Sequence, residues 1–215
     1  IPMHDRLIVP FCLAARAQTI VPAYRLAPEH PFPAALEDAL EAYRWMLAQG
    51  ADPQRIIIAG DSAGGGLALS LLDRLRALEM PMPGLAVLLS PWVDLACSGA
   101  SMDENQEFDW INRPVSRRMA RYYAPEEKWG EPCVSPLTID TSGFPPLYIQ
   151  VGGAEVLRDQ ILEFAARARE QHAQVRLDMF PDMVHEFQAF DRYTPQSREA
   201  LKRLGRMIDD VIEAI

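Results

Sequence analysis

The chain has 215 residues, 49% hydrophobic and 24% charged, the composition of an ordinary globular protein with room for one well-buried domain. Its 21 Lys and Arg against 30 Asp and Glu give a net charge of −9, which speaks against a general affinity for nucleic acid or an anionic membrane. Cys12, Cys97 and Cys133 are widely spaced with no CxxC pair, so a reducing, cytoplasmic compartment is expected rather than a disulfide framework or a zinc site. No apolar run approaches the ~20 residues of a membrane-spanning helix, and no basic-then-apolar leader is seen. The first residue is Ile1 rather than Met, which reads as a fragment.

Along the chain, short β-branched runs alternate with amphipathic stretches. Residues 19–24 (TIVPAY) predict a strand, weakened by Pro22. Residues 33–49 predict a helix, with Pro33 at its start, Glu37 and Asp38 at its positive end and Gly50 past its close. Residues 55–60 (RIIIAG) form a compact apolar strand suited to a sheet covered on both faces. A helix over 63–78 follows, carrying Leu67, Leu71, Leu75 and Leu78 on one face. Further strands are expected at 85–89, 145–151 and 175–180, with helices at 158–171 and 195–215. Such alternation points to an α/β fold, a mostly parallel sheet with helices on both faces, organised as a single domain over 1–215. Residues 93–132 interrupt the pattern with Met, Trp, Phe and Tyr among charges and a helix at 114–123, a cap-like excursion above the sheet.

Gly60-Asp61-Ser62-Ala63-Gly64 lies between a predicted strand and a predicted helix, the context a G-x-S-x-G nucleophile elbow requires. The tight turn strains Ser62 and crowds its neighbours, so Gly60 and Gly64 answer a steric need. It also lifts the hydroxyl to the positive end of a helix, with the Ala63 N–H aimed at a developing oxyanion. A Gly-rich turn packed for structural reasons is the plain alternative. A phosphate loop would need Lys-Ser/Thr after the glycines, which is absent.

A serine nucleophile needs a base, and the base an orienting carboxylate. Of the four histidines, His4, His30 and His172 occupy terminal, Pro-rich or polar helical positions. His185 follows the strand at 175–180 and so falls at the same sheet edge as Ser62. His185-Glu186-Phe187-Gln188-Ala189 lacks the second histidine of H-E-x-x-H, so no metal is expected. Glu155 and Asp159 both follow the strand at 145–151 and are the two candidate acids. The order serine, acid, histidine is that of α/β-hydrolases.

With these residues in view, the sequence resembles the hormone-sensitive-lipase-like family of α/β-hydrolase esterases. Tyr24-Arg25-Leu26-Ala27-Pro28-Glu29-His30-Pro31-Phe32-Pro33 is similar to the family's stretch before the helix that precedes the elbow strand. Gly60 to Gly65 resembles its nucleophile motif, and Ser90-Pro91-Trp92 its post-strand loop. Glu155-Val156-Leu157-Arg158-Asp159 resembles the acid loop, usually begun by Asp, and His185-Glu186-Phe187 the histidine loop. The resemblance implies Ser62 as nucleophile, His185 as general base and acid, and, by register, Glu155 as the orienting acid. Asp159 is the alternative acid. It implies a serine carboxylesterase or lipase-like hydrolase of short to medium acyl esters, without a cofactor and with a small-molecule ester as its partner. Family members also carry a His-Gly-Gly-Gly segment upstream that completes the oxyanion hole; residues 1–24 hold no such string, so the N-terminal part of the fold is expected to be missing.

Two other readings compete: a non-catalytic ligand-binding protein on the same fold, and a truncated chain with an incomplete oxyanion hole. Met102, Phe108, Trp110, Met119 and Tyr122 could wall an apolar substrate pocket or simply pack the excursion onto the sheet. The runs 175–180 and 201–215 are candidates for a homodimer edge.

Overall fold

The computed structural model describes residues 5–213. Four parallel strands lie side by side in chain order: β1 (Ile57–Asp61), β2 (Leu85–Leu89), β3 (Leu147–Gly152) and β4 (Val175–Phe180). Parallel neighbours cannot be joined by hairpins. The crossovers are α3 (Ala63–Ala77) from β1 to β2, the long excursion from β2 to β3, and α6 (Arg158–Glu170) from β3 to β4.

Strand alternation decides which helix covers which face. Ala86 and Leu88 of β2, with Leu147, Ile149 and Val151 of β3, face Leu69 and Leu72 of α3 and Ile161 and Phe164 of α6. Leu85, Val87 and Leu89 face the other way, with Tyr148, onto Leu204 and Ile208 of α7 (Pro195–Glu213) and Leu7 of α1 (Asp5–Ala15). Both central strands are buried along their whole length, which accounts for the unbroken apolar run of β2 and for a β3 in which the one amide, Gln150, is hydrogen-bonded to Tyr148 Oη and the Ala200 carbonyl. An outer helix, α2 (Ala34–Ala48), packs Leu36, Leu40 and Tyr43 against Leu71 and Leu75 of α3.

The excursion contains α4 (Ser101–Glu104) and α5 (Arg113–Tyr123). It gathers a small apolar cluster of its own from Leu95, Ala120, Ala124, Trp129 and Val134. Asn112 caps α5 by accepting a hydrogen bond from Val115 N–H at 3.1 Å, and Arg113 and Pro114 open its first turn.

Several expectations change; the strand expected at 145–151, for one, is β3 at Leu147–Gly152. Residues 19–24 are not a strand: the four described strands pair only with one another, Pro22 has no N–H to offer, and Ile20 and Val21 are exposed. Arg55 closes a short 3-10 turn, Pro53–Arg55, whose cap Asp52 accepts from Gln54 N–H, so β1 begins two residues later than expected and runs through Asp61. The N-terminal helix α1 had no counterpart in the sequence reading, because Pro10 sits in its interior. It is held by packing on α7, where a Cβ on Gly205 would come within 2.8 Å of the Ala14 carbonyl oxygen.

Candidate active site

Parallel strands send all their C-terminal ends to one edge of the sheet, and ligand sites form there. β1 ends at Asp61 and the chain turns straight into α3 through Ser62, whose φ of 49° and ψ of −119° lie where a non-glycine residue is strained. The turn is tied down from three sides: the Ser62 carbonyl accepts from Gly65, Gly66 and Trp92 N–H groups, and Ser62 N–H donates to the Leu89 carbonyl at 2.9 Å. Ala63 opens α3, so its N–H has no acceptor within the helix and remains free to face an anion.

The steric need of the elbow falls on Gly60, as expected, but on Gly65 and Gly66 rather than on Gly64. A Cβ on Gly60 would come within 2.2 Å of the Gly64 carbonyl oxygen. One on Gly64 would meet only Asp61 Oδ1, at an ordinary 3.7 Å. The crowded partners are Gly65, against Pro91 Cβ at 2.7 Å, and Gly66, against the Trp92 carbonyl oxygen at 2.4 Å. The helix therefore starts pressed against the loop that follows β2.

His185 belongs to the loop after β4, yet its Nε2 lies 2.8 Å from Ser62 Oγ. β1 and β4 are three strand spacings apart, about 14 Å. The loop has to fold back across the end of β3 to close that gap. Gly152 and Gly153 make room: a Cβ on either would strike the Met183 or Pro181 carbonyl oxygen at 2.2 Å. Gly153 N–H and Ala154 N–H donate to the Phe180 and Met183 carbonyls at 2.8 and 3.0 Å, fastening the two loops together.

Glu155 is wholly buried in the loop after β3. Its Oε2 accepts from Gly152 N–H at 2.9 Å and from Ser90 Oγ–H at 2.8 Å. Oε1 has no partner, and neither does Nδ1 of the equally buried His185. Two orphaned polar atoms of matching character in one buried site call for an explanation. Burial pushes Glu155 up to about 8, against the two hydrogen bonds that favour its carboxylate. It pushes His185 down to about 3, so the imidazole is neutral and able to accept a proton at neutral pH.

Asp159, the alternative acid, is engaged elsewhere. Its Oδ2 accepts from Ser101 N–H at 2.8 Å and its Oδ1 from Arg158 Nε–H at 2.9 Å. Ser101 Oγ in turn donates to the Val156 carbonyl and accepts from Asp159 N–H. That carboxylate joins the excursion to the start of α6 rather than meeting the imidazole.

Several residues at the site were not singled out by sequence. Ser90, at φ 47° and fully buried, holds Glu155 and also accepts from Glu186 N–H at 3.3 Å. Glu186, in left-handed conformation at φ 53°, brings its Oε1 to 3.9 Å from His185 Nε2. Burial raises its carboxyl, and the nearby Asp61 carboxylate raises it further. Of the aromatic and Met residues in the excursion, Met102 is a fully buried core residue, while Phe108, Trp110, Met119 and Tyr122 are exposed. His30 and His172 are exposed, and neither makes a side-chain hydrogen bond to Ser62, His185 or Glu155 in the way His185 meets Ser62; His4 lies outside the described residues. Among the described residues no group of three His, Cys, Asp or Glu side chains is arranged to hold a metal ion, and no helix is long and apolar enough to cross a membrane.

A protein-family model described as alpha/beta hydrolase fold matches residues 1–189. An acetyl-hydrolase of Streptomyces hygroscopicus is 40% identical over 91% of this chain, and an esterase of Acinetobacter venetianus is 34% identical over 92% of it. The chain spans 66% of the length of each. A crystal structure of an esterase from the bacterial hormone-sensitive lipase family superposes with a TM-score of 0.93 at 38% identity, covering 97% of this chain and 71% of that one. The strained serine between β1 and α3, reached by a histidine from beyond β4, sits in a chain that belongs to the alpha/beta hydrolase fold family and is similar to a bacterial member of the hormone-sensitive lipase family.

Proposed function

We propose that the protein is a carboxylic ester hydrolase of short to medium acyl esters, working through an acyl-enzyme on Ser62. The observation that carries this reading is the 2.8 Å contact between His185 Nε2 and Ser62 Oγ, on a serine held in strained elbow geometry. In this reading Ser62 Oγ attacks the ester carbonyl carbon as its proton passes to His185 Nε2. The Ala63 N–H donates to the carbonyl oxygen as it gains charge. Collapse of the tetrahedral intermediate breaks the ester C–O bond, and the departing alkoxide takes the proton from His185. Water then repeats the sequence on the acyl-serine, releasing the carboxylic acid and restoring Ser62.

Glu155 is the orienting acid. The partnerless Oε1 of Glu155 and Nδ1 of His185 are each other's natural partners, sharing one proton that fixes the imidazole's tautomer. The Gly152 N–H and Ser90 hydroxyl on the opposite oxygen hold the carboxyl in orientation. The relatives named acetyl-hydrolase and esterase support small acyl groups. A single cytoplasmic domain and a homodimer edge on β4 and α7 stay part of the same proposal.

The test is turnover of a chromogenic short-chain ester, with labelling by a fluorophosphonate probe, in the full-length protein. Ser62→Ala should abolish both while the circular dichroism stays unchanged. Glu155→Gln should cost up to about 10⁴ in kcat, whereas Asp159→Asn should leave kcat near wild type and cost about 1 kcal/mol of stability through the lost Ser101 contact. Turnover in folded Ser62→Ala refutes the nucleophile. A dead Asp159→Asn beside a mild Glu155→Gln transfers the acid's role to Asp159.

A further inference from the structure

The loop that carries His185 and the loop that carries Glu155 are both irregular, and neither belongs to the excursion between β2 and β3. Residues four apart in the excursion nevertheless reach the acid loop in sequence. Ser101 Oγ donates to the Val156 carbonyl at 2.7 Å, and Asn105 Nδ2 donates to the Glu155 carbonyl at 2.8 Å. Asp109 Oδ2 accepts from Val156 N–H at 2.8 Å. Only Asp109 of these three also touches the histidine loop. Its Oδ1 accepts from His185 N–H at 3.2 Å and from Trp110 N–H at 2.8 Å.

Trp110 completes the hold on the other side of the same residue. Its indole Nε1–H donates to the His185 carbonyl at 2.8 Å, and its ring lies 5.4 Å from the imidazole at a tilt of 41°. The backbone of His185 is therefore gripped at its N–H by Asp109 and at its C=O by Trp110. One carboxylate thus ties together the residue after Glu155, through Oδ2, and His185 itself, through Oδ1.

From this arrangement we infer that Asp109, with Trp110, is a positioning residue that sets the register between the base and its orienting acid. The inference rests on the reading of Ser62, His185 and Glu155 as the reacting constellation. The physical argument is one of tolerance. A catalytic hydrogen-bond chain loses rate steeply when its members are displaced by about 1 Å, and loops supply such accuracy only when something rigid braces them. A carboxylate is the side chain for this place because it offers two acceptor oxygens and no donor, and all three groups aimed at it are N–H donors. An asparagine has the same shape but turns its NH2 toward either Val156 N–H or His185 N–H, so one loop is released.

The experiment compares Asp109→Asn, Asp109→Ala and Trp110→Phe in the full-length protein. It measures kcat per active site, with sites counted by fluorophosphonate titration, together with KM and Tm. Positioning predicts that Asp109→Asn lowers kcat per titrated site about 10-fold to 100-fold, with KM changed by less than about 3-fold. Trp110→Phe, which keeps the ring and loses the indole donor, should cost less. The Asp109→Asn/Trp110→Phe double variant should lose less than the product of the two singles, because both grip one residue. If Asp109→Ala does not fold, the isosteric Asp109→Asn and the conservative Trp110→Phe carry the test. A fall in Tm or in the fraction of titratable sites, with kcat per titrated site within 2-fold of wild type in both Asp109→Asn and Trp110→Phe, overturns the inference and leaves Asp109 a structural brace. Turnover that survives Ser62→Ala would instead overturn the underlying site, whatever Asp109 does.

Discussion

At the scale of single residues, the site concentrates acidic groups around one imidazole. Asp109 and Glu186 both approach His185, Glu186 with Oε1 3.9 Å from the neutral imidazole's Nε2, and Asp61, Glu155 and Asp109 in turn act on Glu186. Glu186 is the member with a separable effect. Burial and the Asp61 carboxylate raise it above the ordinary glutamate value, so the folded protein binds this proton more tightly than the unfolded chain. Its contribution to stability is complete below the unfolded value, near 4.5, and is lost as pH rises through the raised folded value. Replacing the carboxyl by an amide removes the cost of ionising it. Glu186→Gln should match wild type in Tm near pH 5 and melt higher by on the order of 3 °C at pH 9. A Tm difference constant across that range, or one that narrows with pH, contradicts the stated environment. In the sequence, Ser90 and Glu186 stand out only as members of motifs, without a role, and Asp109 not at all; the three share the trait that hid them. Each acts through a backbone N–H or a neighbour brought in from a distant segment, and no spacing along the chain announces such a bond.

At the scale of elements, the strands at Leu85–Leu89 and Val175–Phe180 were legible to the residue, because an unbroken apolar run in the first and strict apolar–charged alternation over Val175 to Asp178 in the second each carry a strand's pattern. The segment 19–24 has the same character and is not a strand, because pairing is a property of neighbours rather than of the segment. The Ser62 turn was legible from its small residues, but which of them is indispensable was not. That depends on where the loop after β2 passes, and its Pro91 and Trp92 backbone press on α3 at Gly65 and Gly66. The glycines thus separate by experiment. Gly64→Ala should hold or raise Tm, since helix propensity favours alanine by up to about 1 kcal/mol and the added methyl meets only ordinary contact. Gly66→Ala should lower Tm by several degrees, a cost on the order of 2 kcal/mol for overpacking against a carbonyl that cannot move away. Equal effects from the two substitutions, read by thermal melts, would refute this assignment of crowding.

At the scale of the whole molecule, a buried parallel sheet carries helices on both faces, and each chemical group hangs from the C-terminal end of a different strand. β4 is bonded along only one side, and its outer residues are half-exposed. The contact between His185 and Ser62 bridges the full width from β4 to β1, resting midway on Gly152 and Gly153. Such a bridge is a gauge of the sheet's integrity. Fraying of β4, an edge strand, draws the imidazole off the serine while β2, β3 and α3 remain folded, because partly exposed edges open at lower free energy than the global transition. In a urea series, turnover should therefore vanish at a lower concentration than the far-ultraviolet circular dichroism midpoint, with hydrogen exchange fastest in β4 and the loop behind it. Coincident loss of turnover and circular dichroism would mean that the strand opens only with the rest. Where the two separate, the protein falls silent while most of it is still native, and on return to native conditions activity recovers as quickly as one strand can re-dock.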